Sequence, residues 1–123
     1  MGENRALTLI VARPGPLREG VEALLASVSQ VEVVATVGQA STAFSVAVAQ
    51  PLDLLLLDAG LPDDEGCRLL RLCRRQRAGL RCIALADDAA QERAARDAGA
   101  DAVFLKGFPA DKFAETVEDL LAN

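Results

Sequence analysis

The chain has no histidine, tryptophan or tyrosine, and aromatic residues fill only 3% of its 123 positions. Imidazole chemistry is thereby excluded, both as general base and as metal ligand. Packing must rest on Leu, Val and Ala in place of large rings. Cysteine is scarce as well: Cys67, Cys73 and Cys82 are odd in number, lack the close paired spacing of a zinc site, and are too few for a disulfide scaffold. They fit three buried, reduced thiols. Positive charge is in deficit, with a net charge of −5 and a pI near 4.7. Such a field repels phosphodiester backbones, so no direct nucleic-acid binding is expected. No apolar run approaches the roughly 20 residues that span a bilayer, and no hydrophobic signal core follows the polar stretch Met1 to Arg5. The expectation is a soluble, cytoplasmic protein without membrane contact.

What is present is a hydrophobic content of 51%, ample for one packed core, and residues 1–123 read as a single domain. Leu7 to Val11 is a short apolar run ended by the breakers Pro14, Gly15 and Pro16, the pattern of a buried strand. From Leu17 the spacing of Leu17, Val21, Leu24 and Leu25 predicts a helix with one apolar face. The alternation then repeats. Val31 to Val37 reads as strand, Ser41 to Gln50 as helix, and Leu52 to Leu57 as a strand apolar on both faces. Asp64 to Gln76 reads as a helix with Leu69, Leu70, Leu72 and Cys73 inward, ended by Gly79, and Cys82 to Leu85 as the fourth strand. An alanine-rich helix near Ala90 to Ala98, a strand from Ala102 to Leu105 and a helix from Ala110 to Leu121 complete five strand–helix pairs. Regular alternation with right-handed crossovers predicts an α/β, flavodoxin-like three-layer (βα)5 sandwich with parallel strand order 2-1-3-4-5.

In such sheets the functional crevice lies beyond the carboxyl ends of the strands. Those ends fall at Ala12 and Arg13, Asp58, Ala86 and Asp87, and Lys106. Asp58 stands out as a carboxylate directly after Leu54 to Leu57. Two readings of it are open on composition alone: a nucleophile able to accept a phosphoryl group, or a cap for the loop before Pro62.

The stretch Leu54-Leu-Leu-Leu-Asp58-Ala-Gly-Leu-Pro62-Asp-Asp-Glu-Gly66 resembles the receiver-domain segment of two-component response regulators. There an acceptor Asp is followed four residues later by Pro and eight residues later by Gly. Leu17-Arg-Glu-Gly-Val21 resembles the first helix of receivers attached to LuxR-type helix-turn-helix outputs, and Ala98-Gly-Ala-Asp-Ala-Val-Phe-Leu-Lys106 resembles the fifth-strand signature. The resemblance implies Asp58 as phosphoacceptor and Lys106 as the lysine whose ammonium contacts the phosphoryl group.

The departures from the family pattern matter as much. The resemblance implies two acidic residues after the first strand that hold magnesium, and this chain places Ala12 and Arg13 there. The phosphoryl-sensing Ser or Thr falls at Ala86, and the aromatic switch at Val103, a stiff β-branched residue. Of the usual magnesium ligands only Asp58 and the carbonyl of Gly60 are left, too few for near-octahedral oxygen coordination. Asp58 with Arg13 and Lys106 sums to about +1, which repels a divalent cation. Arg13 is expected to bend onto Asp58 in a two-pronged ion pair that holds the site closed without metal, the alternative being a side chain that points to water. Asp88 is placed to cap the fourth helix, with metal ligation by Asp87 and Asp88 the lesser reading. Gly107 stands where many receivers carry a cis-proline, so a trans peptide is expected.

Five arginines on the third helix, at 68, 71, 74, 75 and 77, read as a solvated face, with an anion or partner patch as the alternative. The alanines between Ala89 and Ala100 permit close approach to the fourth helix and fifth strand, a candidate contact surface. The functional expectation is an atypical receiver, not an enzyme beyond at most self-phosphorylation on Asp58. It acts in transcriptional regulation through phosphorylation-independent protein contacts with an output domain or by self-dimerisation, with no cofactor and magnesium binding weak or lost. The alternative is a working phosphoacceptor served by a histidine kinase.

Overall fold

The computed structural model describes residues 5–122. Strands β1 (Ala6–Val11), β2 (Val31–Val37), β3 (Leu54–Asp58), β4 (Arg81–Ala86) and β5 (Ala102–Leu105) alternate with helices α1 (Pro16–Ala26), α2 (Ala40–Ala49), α3 (Glu65–Gln76), α4 (Ala89–Asp97) and α5 (Ala110–Leu121). All neighbouring strands are parallel, in the order β2-β1-β3-β4-β5. The flavodoxin-like arrangement expected from the alternation is the one observed.

The layers follow from which way each side chain points. Leu55 and Leu57 of β3 and Cys82 and Ala84 of β4 pack with Leu69, Leu70 and Cys73 of α3 and Ala95 of α4. The intervening Leu54, Leu56, Ile83 and Leu85 pack with Val21 and Leu25 of α1 and Phe113 and Val117 of α5. Period-two alternation thus feeds two cores, one on each face of the sheet. All four β3 leucines are at most 1% exposed. Each contributes about 1.5–3 kcal/mol of burial. Three of the four phenylalanines, Phe104, Phe108 and Phe113, form one cluster with ring centroids 5.2–5.5 Å apart beside β5 and α5.

Local chemistry sets the boundaries. Pro16 occupies the first turn of α1, where its missing N–H costs nothing. β3 begins at Leu54, not Leu52, because Asp53 sits in the preceding turn and accepts a hydrogen bond from the Leu7 N–H at 2.9 Å. α3 begins after a 3-10 turn (Pro62–Asp64), since Asp63 and Asp64 hold left-handed φ values of 57° and 60°. It stops at Gln76, three residues before Gly79.

Two expectations on α3 fail. Leu72 is 41% exposed, not inward. The buried stripe runs through Cys67, Leu69, Leu70 and Cys73, and Leu72 lies at its margin over a surface groove lined also by Phe44 of α2. Arg74 does not lie on a solvated face. Its guanidinium donates to the carbonyls of Gly99 and Leu80 and to the carboxylate of Asp101 at 2.7 Å, and Asp101 in turn accepts from the Cys82 N–H at 2.7 Å. That side chain ties α3 to β4 and to the turn before β5.

Candidate functional site

The parallel register brings three strand ends together. Asp58, the last residue of β3, pairs in register with Leu85, and Ala86, the last residue of β4, pairs with Leu105. Asp58, Asp87 and Lys106 therefore emerge side by side. The Lys106 N–H donates to the Ala86 carbonyl at 2.9 Å, which fixes where the lysine side chain starts. Its ammonium lies 2.8 Å from Asp58 Oδ1 and 2.7 Å from Asp87 Oδ1. Asp58 is only 7% exposed, and its Oδ1 also accepts from the Gly60 N–H at 2.7 Å.

Gly60 lets these groups close on one another without displacement. A Cβ on it would stand 2.5 Å from Asp87 Oδ2, 3.0 Å from Lys106 Nζ and 3.1 Å from Asp58 Oδ1. The ion-paired groups fill the space a side chain would need. Gly66 makes a second close approach: a Cβ would lie 2.9 Å from the Asp58 carbonyl oxygen, so α3 packs directly against the end of β3.

Electrostatics follow the geometry. Burial pulls the Lys106 ammonium toward losing its proton, but hydrogen bonds and charge from Asp58 and Asp87 outweigh it, and its pKa is raised above the ordinary 10.5. Asp87 is held below the ordinary 3.8, mainly by its hydrogen bond to Lys106, against slight burial and with help from Gln91. Gln91 Oε1 accepts from the Asp87 N–H at 2.8 Å, while Asp88 Oδ1 accepts from the Gln91 N–H at 2.9 Å as the cap of α4. The capping role expected of Asp88 is the one it has.

Asp58 and Lys106 are thus brought together as their positions implied. Asp87 joins them and was under-read: its place directly after β4, level with the other two, was the signal. Ala12 and Ala86 are buried at the ends of β1 and β4 and carry no oxygen or hydroxyl on their side chains. Val103 packs against the core beneath α2, α3 and α4. Arg13 corrects an expectation. It is exposed and makes no ion pair with Asp58 among the described residues, turning instead toward a groove bounded by α2 and α3. One ammonium faces two carboxylates, so the local count is −1 and not +1. Charge repulsion is therefore no argument against a divalent ion at this site. Both carboxylates are engaged by Lys106, and the β1 end supplies no carboxylate. The peptide before Gly107 is trans.

A family model for the response regulator receiver domain matches residues 9–118. The chain belongs to the response regulator receiver family. As a receiver it is a module of two-component signalling, generally a signalling part and not an enzyme. Among solved structures, the NarL receiver domain from Mycobacterium tuberculosis is similar at 23% identity and a TM-score of 0.83, over 95% of this chain and 96% of that one. A LuxR-family response regulator from Aurantimonas sp. SI85-9A1 is similar at 23% identity and a TM-score of 0.85, over 96% and 86%. The RcsB receiver from Salmonella enterica serovar Typhimurium, solved with the phosphomimetic BeF3-, is similar at 18% identity and a TM-score of 0.84, over 98% and 91%. No curated protein matches. Identities this low carry the fold alone. None of the described helices is long and apolar enough to cross a membrane.

Proposed function

We propose that this receiver signals through protein contacts without conventional phosphorylation, its acceptor position being held closed by a lysine bridge in place of a magnesium ion. The observation that carries this reading is the double engagement of Lys106 by Asp58 and Asp87. Magnesium demands near-octahedral oxygen ligands and dehydrates reluctantly. The residues present do not fit it: Ala12 and Arg13 offer no carboxylate, and the two carboxylates available already face an ammonium. Without a hydroxyl at Ala86 or a ring at Val103, a phosphoryl group on Asp58 has nothing to pull into a new position.

Contacts of such a module are with proteins: an output domain, a second copy or a kinase. The likeness to LuxR-family regulators supports a role in transcriptional control, by analogy of fold. The α4–β5 face supports docking, because Ala89, Ala90 and Arg93 are exposed there and Leu105 is 47% exposed.

A second reading has one observation in its favour. Asp58 Oδ2 takes no part in the Lys106 and Gly60 contacts, so it is available to attack phosphorus while the donor's leaving group departs. Lys106 would then balance the added negative charge. Incubation with acetyl phosphate, with and without magnesium, followed by intact mass separates the readings. The first expects no phosphoryl adduct in either condition; an adduct lost in Asp58→Asn and accelerated by magnesium overturns it.

A further inference from the structure

An open groove with a volume of about 870 Å³ lies between α2 and α3, and Asp58 is not among the residues that line it. Small-molecule clefts commonly fall in the range of about 300–1,000 Å³. Its apolar lining is led by the half-buried Phe44 and the exposed Leu72, with Pro14, Ala40 and Pro62 beside them and the buried Leu69 beneath. Phe44 is the one phenylalanine outside the ring cluster at β5 and α5, and Leu72 is among the few large hydrophobic side chains left exposed. An exposed Leu72 beside a half-buried Phe44 in a concave site offers apolar surface that a ligand can cover.

The charges on the walls are of the opposite sign to the molecule. The chain carries −5 overall, yet the residues lining the groove include Arg13 and Arg68 against a single acid, Glu65. Neither arginine forms an ion pair among the described residues. Arg68 spends one N–H on the Asp63 carbonyl at 2.6 Å, and its other donors meet no acceptor among the described residues. Arg13 stands where the family places an acid, but its side chain serves this groove and not the Asp58 site. Two arginines without an ion pair beside the apolar surface of Phe44 and Leu72 match a compact ligand with one anionic head and an apolar body. A partner helix would need an apolar stripe over several turns, which these two residues do not supply.

We propose that the α2–α3 groove is a binding site for a small amphipathic carboxylate, its head paired with Arg13 and Arg68 and its hydrocarbon body laid over Phe44 and Leu72. The site is independent of chemistry at Asp58, so the phosphodonor experiment and this one fail separately.

The test titrates the isotope-labelled chain with decanoate, decanol and decyltrimethylammonium, three probes that share a tail and differ in head charge. Amide shifts are followed by NMR. Decanoate should saturate, moving resonances at Gly38, Phe44, Leu69 and Leu72, with decyltrimethylammonium at least about tenfold weaker and decanol between them. The double variant Arg13→Gln/Arg68→Gln should lose about tenfold in decanoate affinity and leave decanol unchanged. Leu72→Glu should abolish decanoate binding, and since Leu72 is exposed, the unfolding midpoint checks that the fold is intact. Equal affinity for anionic and cationic probes, shifts mapping to another face, or decanoate binding indifferent to the arginine pair overturns the proposal.

Discussion

At the carboxyl edge of the sheet, the β3–β4–β5 half and the β1 half present opposite surfaces. On the first, Asp58, Asp87 and Lys106 close on one another around Gly60, leaving no room for a side chain there. On the second, Ala12 is buried and mute while Arg13 swings out to an open groove. The end of β1 therefore leaves no positively charged hole. Lys106 faces one carboxylate from the β3 end and one from just beyond β4, and Arg13 is a surface group.

The comparison breaks most visibly in a pair of substitutions. Lys106→Met should cost about 2–3 kcal/mol in urea unfolding, because Asp58 stays nearly buried with its main counter-charge gone. Arg13→Met, on the open half, should change stability by no more than about 0.5 kcal/mol. Equal effects would erase the distinction between the halves. Next in size is a methyl on the closed half: Gly60→Ala forces Asp87 and Lys106 apart and should cost about 1–2 kcal/mol, whereas Gly38→Ala meets nothing nearer than 3.7 Å and should be close to neutral.

Smaller still is the pH response. Asp87 has a folded pKa below its ordinary 3.8. Its contribution is present above that ordinary value and is lost as pH falls through the lowered folded one. Lys106, raised above 10.5, contributes fully below that value and loses its share only as alkaline pH passes its folded pKa. Asp87→Asn should therefore flatten the acid limb of a stability–pH curve, by less than about 1 kcal/mol because its side chain is half exposed. The smallest signal is a null one. Burial pushes the Cys73 thiol up to about 11 and Cys82 up to about 12, so neither should react with a thiol reagent at mildly alkaline pH unless α3 lifts from β4.

Much of this was legible in the residues. β2, β5 and α5 fall on the boundaries read from periodicity, because each is bracketed by turn residues and packs one clear apolar face. Asp58 and Lys106 were legible because parallel strands deliver their last residues to one edge. The partner of Lys106 was harder. Asp87 and Asp88 are adjacent and identical in type, and only the direction in which β4 ends decides that one meets the lysine and the other caps α4. Arg13 and Arg74 were misjudged for a shared reason: a long guanidinium side chain has several acceptors within reach, and linear spacing does not say which one it meets. Leu72 belonged to the apolar rhythm of its helix, but rhythm does not report that α2 leaves that margin uncovered.

The account turns on a lysine occupying the place of a metal. Its most direct test is a magnesium titration of the isotope-labelled chain, reading the amides of Asp58, Gly60, Asp87 and Lys106. The account predicts no saturable, site-localised shifts at physiological magnesium. Saturable shifts confined to those residues, retained in wild type and abolished in Asp58→Asn, would contradict it.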